Sequence, residues 1–244
     1  MIYPEDFYNK IICGDSLEIM KQMPNESVDS IITSPAYNLS IRRTFGNTSK
    51  WKGKSNNSKL QSVGYDIHND YMPEPEYIDW QKSILKECFR LIKNDGAIFY
   101  NHRWRVQKGL LQQRPEIVEG LPVRQIIIWK KAGGVNFSAG FFLPTYEVIY
   151  MITKPKFKLP PKVNHYGDVW AITQEKGSWH PAPFPIEIAK RCVEATSGSI
   201  ILDPFSGSGT TALAAKMAGK TFIGIDISQD YCNKAVKRIN ELVV

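Results

Sequence analysis

A glycine-rich turn near the end of the chain has the residue types of a nucleotide-binding loop. The segment Asp203-Pro-Phe-Ser-Gly207-Ser-Gly209-Thr-Thr-Ala212 follows the apolar run 199–202 and leads into an alanine-rich stretch that predicts a helix. Glycine allows a tight turn and lets a cofactor approach the backbone amides at the start of the helix. Asp226 lies 19 residues beyond Gly207, at the end of the next predicted strand, where a carboxylate can bind ribose hydroxyls. The missing Gly-Lys-Ser/Thr ending argues against a phosphate-binding P-loop.

A short segment near the start of the chain also follows a predicted strand. Residues 28–33 form a β-branched run that predicts a buried strand, ended by Ser34-Pro35 and followed by Ala36-Tyr37. A serine hydroxyl and a backbone carbonyl can accept hydrogen bonds, and a tyrosine ring can stack on a flat ligand. Ligands of parallel sheets bind beyond the carboxyl ends of the strands. We therefore expect this segment and the glycine-rich turn to form one cleft.

Together the two segments resemble the motif pair of the amino-methylating DNA methyltransferases. The family's catalytic tetrapeptide is Asp/Asn/Ser-Pro-Pro-Tyr/Phe, and its Phe-x-Gly-x-Gly loop binds S-adenosyl-L-methionine. Here the corresponding segments are Ser34-Pro35-Ala36-Tyr37 and the turn that contains Phe205. Ser34 precedes Asp203 by 169 residues, an order similar to that of the permuted β group. Ala36 replaces the family's second proline, and we expect this difference to loosen the turn.

Three further blocks follow the same order, so the resemblance covers residues 11 to 240. Gly14-Asp15-Ser16-Leu17 is similar to the block whose acid contacts the cofactor's adenine. The segment from His180 to Pro185 is similar to the block whose aromatic residue packs on the cofactor, and Gly224-Ile-Asp226 to the ribose-binding acid. The resemblance implies S-adenosyl-L-methionine bound by Asp15, Phe184, Asp203, Phe205, Gly207, Gly209, Thr210, Thr211 and Asp226. It implies Ser34, Pro35 and Tyr37 as the catalytic residues.

The chemistry implied by this resemblance explains the need for Ser34 and Pro35. The exocyclic nitrogen of a base is a poor nucleophile because its lone pair is delocalised into the ring. Hydrogen bonds from the amino group to Ser34 Oγ and the Pro35 carbonyl would localise that lone pair, so catalysis is mostly positioning and electrostatics. The base must be flipped out of double-stranded DNA, and we expect it to stack on Tyr37. In the family, a serine-led motif preceded by threonine is typical of cytosine-N4 methylation, which we favour over adenine-N6 methylation.

The remaining patterns predict a doubly wound α/β fold. Further strands are predicted at 97–100, 124–129, 147–152, 199–202 and 221–225, and helices at 76–93, 184–196, 210–217 and 228–242. Because strands alternate with helices, a mostly parallel, Rossmann-like sheet of the class I methyltransferase type is expected. We expect a single permuted domain over residues 1–244, with a small basic target-recognition region.

Basic charge is concentrated in two segments. Lysine and arginine exceed the acidic residues by seven, which favours a polyanionic partner. Residues 30–65 hold six basic residues and no acid, and we predict a mobile DNA-contacting loop over 38–70. The DNA-binding candidates in this loop are Arg42, Arg43, Lys50, Lys52 and Lys54. Between residues 120 and 167, Glu147 is the one acid against seven lysines and arginines, and a compact target-recognition segment is expected over 131–178.

Composition excludes several other classes of protein. No apolar run is long enough to span a membrane, and the first residues lack the pattern of a secretion signal, so we expect a protein of the cytoplasm, associated with the nucleoid. The four cysteines lie far apart without CxxC spacing, and we propose no metal. No cysteine sits in a proline-led turn, which argues against methylation of ring carbon 5. A cognate restriction endonuclease and a homodimer are both compatible with the resemblance.

Five alternatives stay open at this stage. The target could be adenine instead of cytosine, or an RNA or a protein glutamine in place of DNA. A nicotinamide dehydrogenase could use the same glycine-rich turn, although no hydride-handling partner is evident. The chain could also be a catalytically silent DNA-binding module if Ala36 has disabled the site.

Overall fold

An eight-stranded sheet forms the centre of the molecule. The computed structural model describes residues 1–38, 72–107, 109–133, 139–174 and 184–242. The strands are β1 (Lys10–Cys13), β2 (Val28–Thr33), β3 (Ile92–His102), β4 (Arg105–Gln107), β5 (Leu110–Gln112), β6 (Val123–Lys130), β7 (Tyr146–Thr153), β8 (Val169–Ala171), β9 (Ile200–Asp203) and β10 (Thr221–Asp226). The order in the sheet is β1-β10-β9-β2-β3-β7-β6-β8, while β4 and β5 form a separate hairpin. Among the described strands of the sheet, β7 alone runs antiparallel.

Helices cover both faces of this sheet. They are α1 (Ser16–Met20), α2 (Glu74–Leu91), α3 (Ile186–Glu194), α4 (Thr210–Met217) and α5 (Gln229–Asn240), with short 3-10 helices at Pro115–Val118 and Val163–Tyr166. Successive side chains of a strand point to opposite faces. Ile98 and Tyr100 of β3 therefore pack in the cluster that contains α1 and α2, whereas Ala97 and Phe99 pack in the cluster of α3 and α4. This arrangement confirms the predicted doubly wound, mostly parallel fold.

The winding of the chain reverses between β2 and β9. From β9 the chain passes through α4 to β10 on one side, and from β2 it passes through α2 to β3 on the other. Helices α2 and α4 belong to opposite faces of the sheet. The carboxyl ends of β2 and β9 thus border the crevice where doubly wound folds bind ligands. These ends lead directly into Ser34 and the glycine-rich turn.

Several element boundaries differ from the sequence prediction. The predicted helix 76–93 ends earlier, because Ile92 already has an extended backbone and begins β3. Residues 93–96 form a bulge opposite Asp29 of β2, between the pairs Val28–Ile92 and Ser30–Ala97. Within the 131–178 segment, β7 and β8 are strands of the main sheet. No helix in the described part of the chain is long and apolar enough to cross a membrane.

Candidate active site

A buried carboxylate joins the two predicted motif segments. The Thr33 hydroxyl, at the end of β2, donates to Asp203 Oδ1 at the end of β9 over 2.8 Å. The same oxygen accepts the backbone N–H of Phe205 at 3.0 Å, which fixes the first bend of the glycine-rich turn. Burial raises the pKa of Asp203 to about 6, although these hydrogen bonds oppose the shift. The segments therefore meet as the parallel-sheet argument predicted, and Asp203 is their link.

Two buried donors brace the backbone of the Ser34–Tyr37 segment. The Tyr77 hydroxyl of α2 donates to the Ala36 carbonyl at 2.9 Å. The Arg114 guanidinium donates to the Tyr37 carbonyl at 2.7 Å and also pairs with Glu74 of α2. Ala36 and Tyr37 are themselves buried. The turn that we expected Ala36 to loosen is therefore held from outside by α2 and Arg114.

The side chains of this segment join a polar network at the same edge of the sheet. Ser34, which is half-buried, lies with its Oγ 2.7 Å from the Tyr37 hydroxyl, and Tyr37 donates to Glu147 Oε2 at 3.2 Å. The Asn101 amide nitrogen, which carries two protons, lies 3.2 Å from Ser34 Oγ and 3.0 Å from Glu147 Oε2 and also contacts the Tyr37 hydroxyl. Lys131 Nζ donates to Glu147 Oε1 at 2.8 Å. The network consequently connects the predicted catalytic serine to a buried ion pair.

A row of rings connects Tyr37 to Phe205 on one face of the sheet. The rings of Tyr37 and His102 lie 5.3 Å apart between centroids, Tyr77 and Trp80 lie 6.0 Å apart, and Trp80 and Phe205 lie 5.5 Å apart. His102 also contacts Tyr77 through its Nε2 at 3.1 Å. Burial, with the nearby positive charges of arginines, lowers the pKa of His102 to about 3, so this ring is neutral. The two predicted ligand-contacting aromatics thus lie on the same side of the crevice.

The glycine-rich turn closes around Asp226 at the end of β10. The N–H of Gly207 donates to Asp226 Oδ2 at 2.8 Å, and the N–H of Ser228 donates to Oδ1 at 2.9 Å. Burial raises the pKa of the Asp226 carboxyl. Gly209 has a φ of +75°, and a Cβ there would lie 3.0 Å from the Cβ of Ala235 in α5. The turn therefore requires glycine at this position for both backbone conformation and packing.

Other predicted cofactor residues occupy varied environments. Thr210 and Thr211 are buried, and their hydroxyls contact Arg238 Nη1 at 2.9 Å and the Ile32 carbonyl at 3.3 Å respectively. Asp15 is exposed and caps α1 by accepting the N–H of Glu18 at 3.1 Å. These contacts stabilise the local structure of the protein around the predicted cofactor site.

Phe184 stands apart from the other predicted cofactor residues. Its ring meets Trp129 edge-on at 6.5 Å in the α3 cluster, on the opposite face of the sheet from Phe205. The DNA-binding candidates Arg42, Arg43, Lys50, Lys52 and Lys54, together with His180, lie outside the described residues.

Sequence reasoning missed Asn101, Glu147, Lys131 and Arg114. No short motif marks them, because each is a single polar residue at or near a strand end. For Glu147 a signal did exist, since it is the one acid in the basic stretch from residue 120 to 167. In the structure this acid forms a buried ion pair with Lys131.

Comparison with known proteins identifies the family. A model of the N6/N4 methyltransferases, described as DNA methylase, matches residues 28–237, which is most of the chain. The chain belongs to this family. Membership confirms the predicted enzyme class, a DNA methyltransferase that uses S-adenosyl-L-methionine, and it argues against a nicotinamide dehydrogenase.

Curated relatives of this DNA methylase include three bacterial DNA methyltransferases. The Type II methyltransferase M.BglII of Bacillus subtilis is 28% identical over 96% of the chain and 69% of its own length. M.HinfI of Haemophilus influenzae, also a Type II methyltransferase, is 28% identical over 97% of the chain and 70% of its own length. The DNA adenine methyltransferase YhdJ of Escherichia coli is 26% identical over 94% and 82%.

Solved structures share the fold. The cytosine-N4-specific PvuII DNA methyltransferase superposes with a TM-score of 0.72 at 15% identity, over 97% of this methylase and 89% of that chain. A DNA modification methylase of Thermus thermophilus, solved in complex with S-adenosyl-L-methionine, superposes with a TM-score of 0.66 at 23% identity, over 94% and 92%. At these identities the likeness establishes the architecture alone.

The residues around the glycine-rich turn of this methylase fit the family's cofactor. Asp226 is partly exposed and offers a carboxylate that can accept hydrogen bonds from vicinal hydroxyls. Phe205 is also only partly buried, so its ring can cover an apolar or aromatic group. A carboxylate and an aromatic ring beside a glycine turn suit a ligand that carries a ribose and a purine.

Proposed function

We propose that this methylase transfers a methyl group to the N4 amino group of a cytosine flipped out of double-stranded DNA. The observation that carries the proposal is the contact between Thr33 and Asp203, because it fixes Ser34 beside the glycine-rich turn. A methyl donor bound at the turn and a base bound at Ser34 would share one crevice. Methyl transfer requires that proximity of donor and acceptor.

Ser34 and Pro35 are the groups proposed to act on the base. The half-buried Ser34 Oγ and the Pro35 carbonyl would accept hydrogen bonds from the two amino protons of the base. These bonds hold the lone pair of the nitrogen out of the ring and direct it toward the donor. Tyr37 would stack on the flipped base. The hydrogen bond from Arg114 to the Tyr37 carbonyl holds the backbone at this position.

The cofactor site is proposed at the carboxyl ends of β1, β9 and β10. Asp226 would bind the ribose hydroxyls, Phe205 would pack on the adenosine, and Asp15 would contact the adenine. Bound S-adenosyl-L-methionine would supply an electrophilic methyl group on its sulfonium. Asp203, whose oxygen is used by Thr33 and Phe205, would act by holding the turn in place.

Cytosine is favoured as the target because Ser34 leads the motif and Thr33 precedes it. The alternative, adenine N6, has support in the relative YhdJ, which is a DNA adenine methyltransferase. Both bases present an exocyclic amino group, so the same two acceptors would serve either reaction. The products differ in mass and retention, and nucleoside analysis separates them.

Substitution of Ser34 tests the proposed site. We expect Ser34→Ala to slow methyl transfer by about tenfold or more, because one hydrogen bond to the reacting amine is lost. The dissociation constants for S-adenosyl-L-methionine and DNA should stay within about twofold of wild type. Single-turnover transfer of labelled methyl groups and equilibrium binding measure these quantities. Unchanged transfer would remove Ser34 from the catalytic set.

We further infer that the enzyme is the methylating half of a restriction system. Its relatives M.BglII and M.HinfI are named as Type II methyltransferases, which supports this setting. Plasmid DNA methylated by the enzyme should resist the endonuclease that shares its recognition sequence. Cleavage at a fully methylated site would contradict the inference.

A further inference from the structure

An acceptor-only group terminates the hydrogen-bond chain that begins at Ser34. An ionised carboxylate has no proton to donate, so at Glu147 the Tyr37 hydroxyl must be the donor. The single proton of Tyr37 is then committed to Glu147. At the 2.7 Å contact between Tyr37 and Ser34, the serine must therefore donate its own proton.

The direction of this hydrogen-bond chain decides whether Ser34 presents a proton or a lone pair to a base. Its proton points to Tyr37, and at most one of its lone pairs accepts an N–H of Asn101, whose amide nitrogen lies 3.2 Å away. At least one lone pair of Ser34 Oγ then remains for a donor outside the network. An amino group of a base is such a donor, so the chain presents Ser34 in the state that the proposed reaction needs.

The orientation of the Asn101 amide follows from the same carboxylate. Its nitrogen faces three oxygens, those of Ser34, Tyr37 and Glu147. Its own buried oxygen, Oδ1, has no hydrogen-bond partner among the described residues. An unpaired buried acceptor is costly, so a strong acceptor is needed to keep the amide turned this way.

Lys131 and Glu147 form a buried ion pair beside this network. The side chains are only 6% and 9% exposed, and Nζ lies 2.8 Å from Oε1. A buried charge is tolerated where an opposite charge and hydrogen bonds compensate it. Oε1 is bound to Lys131, and Oε2 is left for Tyr37 and Asn101.

We propose that Glu147, paired with Lys131, is a positioning residue that orients the Tyr37 and Asn101 hydrogen bonds so that Ser34 Oγ acts as an acceptor for the target amino group. This inference rests on the proposed function of Ser34. Glu147 itself contacts neither substrate nor cofactor in this scheme. It acts through the two side chains that lie between it and Ser34.

The isosteric substitution Glu147→Gln tests the proposal. Lys131 can only donate, so the amide oxygen of the glutamine would face it and the amide NH2 would face Tyr37. The chain would then reverse, and the Ser34 proton would point at the incoming amine. We expect the maximal rate of methyl transfer to fall by about tenfold or more, with KM for DNA within about twofold.

Combination with Ser34→Ala separates positioning from a structural effect. If Glu147 acts through Ser34, adding Glu147→Gln to Ser34→Ala should change the rate by less than about twofold. A residue that only supports the fold would slow both backgrounds equally. Equal slowing, or a wild-type rate for the single variant, would overturn the proposal. Glu187→Gln, which alters a partly exposed pair with Arg191 within α3, is the matched control and should transfer at the wild-type rate.

A second variant keeps the proposal testable if Glu147→Gln does not fold. Tyr37→Phe retains the ring that would stack on the base but removes the hydroxyl that links Ser34 to Glu147. Its rate of methyl transfer should fall by about threefold or more with unchanged DNA affinity. A wild-type rate would refute the proposed hydrogen-bond chain from Ser34 to Glu147. If the single variant Ser34→Ala transfers methyl groups at the wild-type rate, the proposed function fails. If Ser34→Ala is slow but Glu147→Gln and Tyr37→Phe transfer at the wild-type rate, the proposed function stands and the role of Glu147 fails.

Discussion

At the scale of single residues, the buried position of Asp203 joins the two motif segments but disfavours ionisation of its carboxyl. Its carboxylate must lie between Thr33 and the backbone of Phe205 to join the two motif segments. The same position is 5% exposed, so ionisation is disfavoured and its pKa rises from 3.8 to about 6. The burial of this carboxyl therefore costs stability at neutral pH, and its hydrogen bonds to Thr33 and Phe205 reduce that cost.

The substitution Asp203→Asn should reveal this cost as a pH dependence. The folded state holds the Asp203 proton more tightly than the unfolded state, so stability falls as pH rises from about 4 through 6. Asparagine keeps the acceptor oxygen without ionising. We expect the unfolding free energy of the variant, relative to wild type, to increase by about 2 kcal/mol between pH 4.5 and 7.5.

Urea unfolding at several pH values measures this difference. The contribution of His102, which is present in both proteins, cancels in the comparison. A difference that stays flat across the range would mean that Asp203 ionises normally in the folded protein.

At the scale of elements, α2 supports the catalytic segment as well as the sheet. Its Tyr77 binds the Ala36 carbonyl, and its Glu74 holds the Arg114 that binds the Tyr37 carbonyl. The family's second proline would restrict the backbone from within the segment. Here hydrogen bonds from a neighbouring helix supply that restriction instead.

The substitution Tyr77→Phe tests this support. Loss of the hydroxyl leaves the buried Ala36 carbonyl without this donor, so we expect a loss of about 1–3 kcal/mol in stability. Methyl transfer should slow by about tenfold while cofactor affinity is retained. Tyr100→Phe is the matched control, because Tyr100 donates to Gln81 of α2 and does not bond to the 34–37 segment. Equal rates for the two variants would contradict the role of Tyr77.

Elements with strong local patterns were predictable, and those fixed by distant contacts were not. The β-branched run of β2 and the apolar runs of β9 and β10 match the predicted strands closely. The edge strands β1 and β8 were not predicted, and β8, with three residues, is too short for periodicity to identify it. The antiparallel direction of β7 depends on pairing with β3 and β6, which no local pattern encodes.

In the candidate active site, too, residues of local motifs were predictable and residues brought together by distant contacts were not. Ser34, Tyr37 and the glycine-rich turn belong to contiguous motifs that follow predicted strands, so their convergence was foreseeable. Glu147 reaches the crevice because the amino end of antiparallel β7 lies beside the carboxyl end of β3. Asn101 and Glu147 therefore meet through strand pairing, and nothing in their spacing along the chain predicts the contact.

At the scale of the whole molecule, an excess of seven positive charges favours binding to a polyanion. We predict that Arg42→Ala combined with Arg43→Ala weakens DNA binding and lowers the slope of log affinity against log salt by about two, since each phosphate contact contributes about 0.9. Affinity for S-adenosyl-L-methionine should not change. The control pair Lys234→Ala and Lys237→Ala, on exposed positions of α5, should leave the salt slope as in wild type. A matched loss of DNA and cofactor binding would mean that the two arginines have a structural role.

Mass spectrometry of nucleosides tests the central claim most directly. DNA incubated with the enzyme and methyl-labelled S-adenosyl-L-methionine would be digested, and its modified nucleosides separated and identified. We predict labelled N4-methylcytosine, with Ser34→Ala giving about one tenth or less of the wild-type yield at equal times. Labelled N6-methyladenine would contradict the proposed base, and label on carbon 5 of cytosine, or none from active folded enzyme, would contradict the site itself.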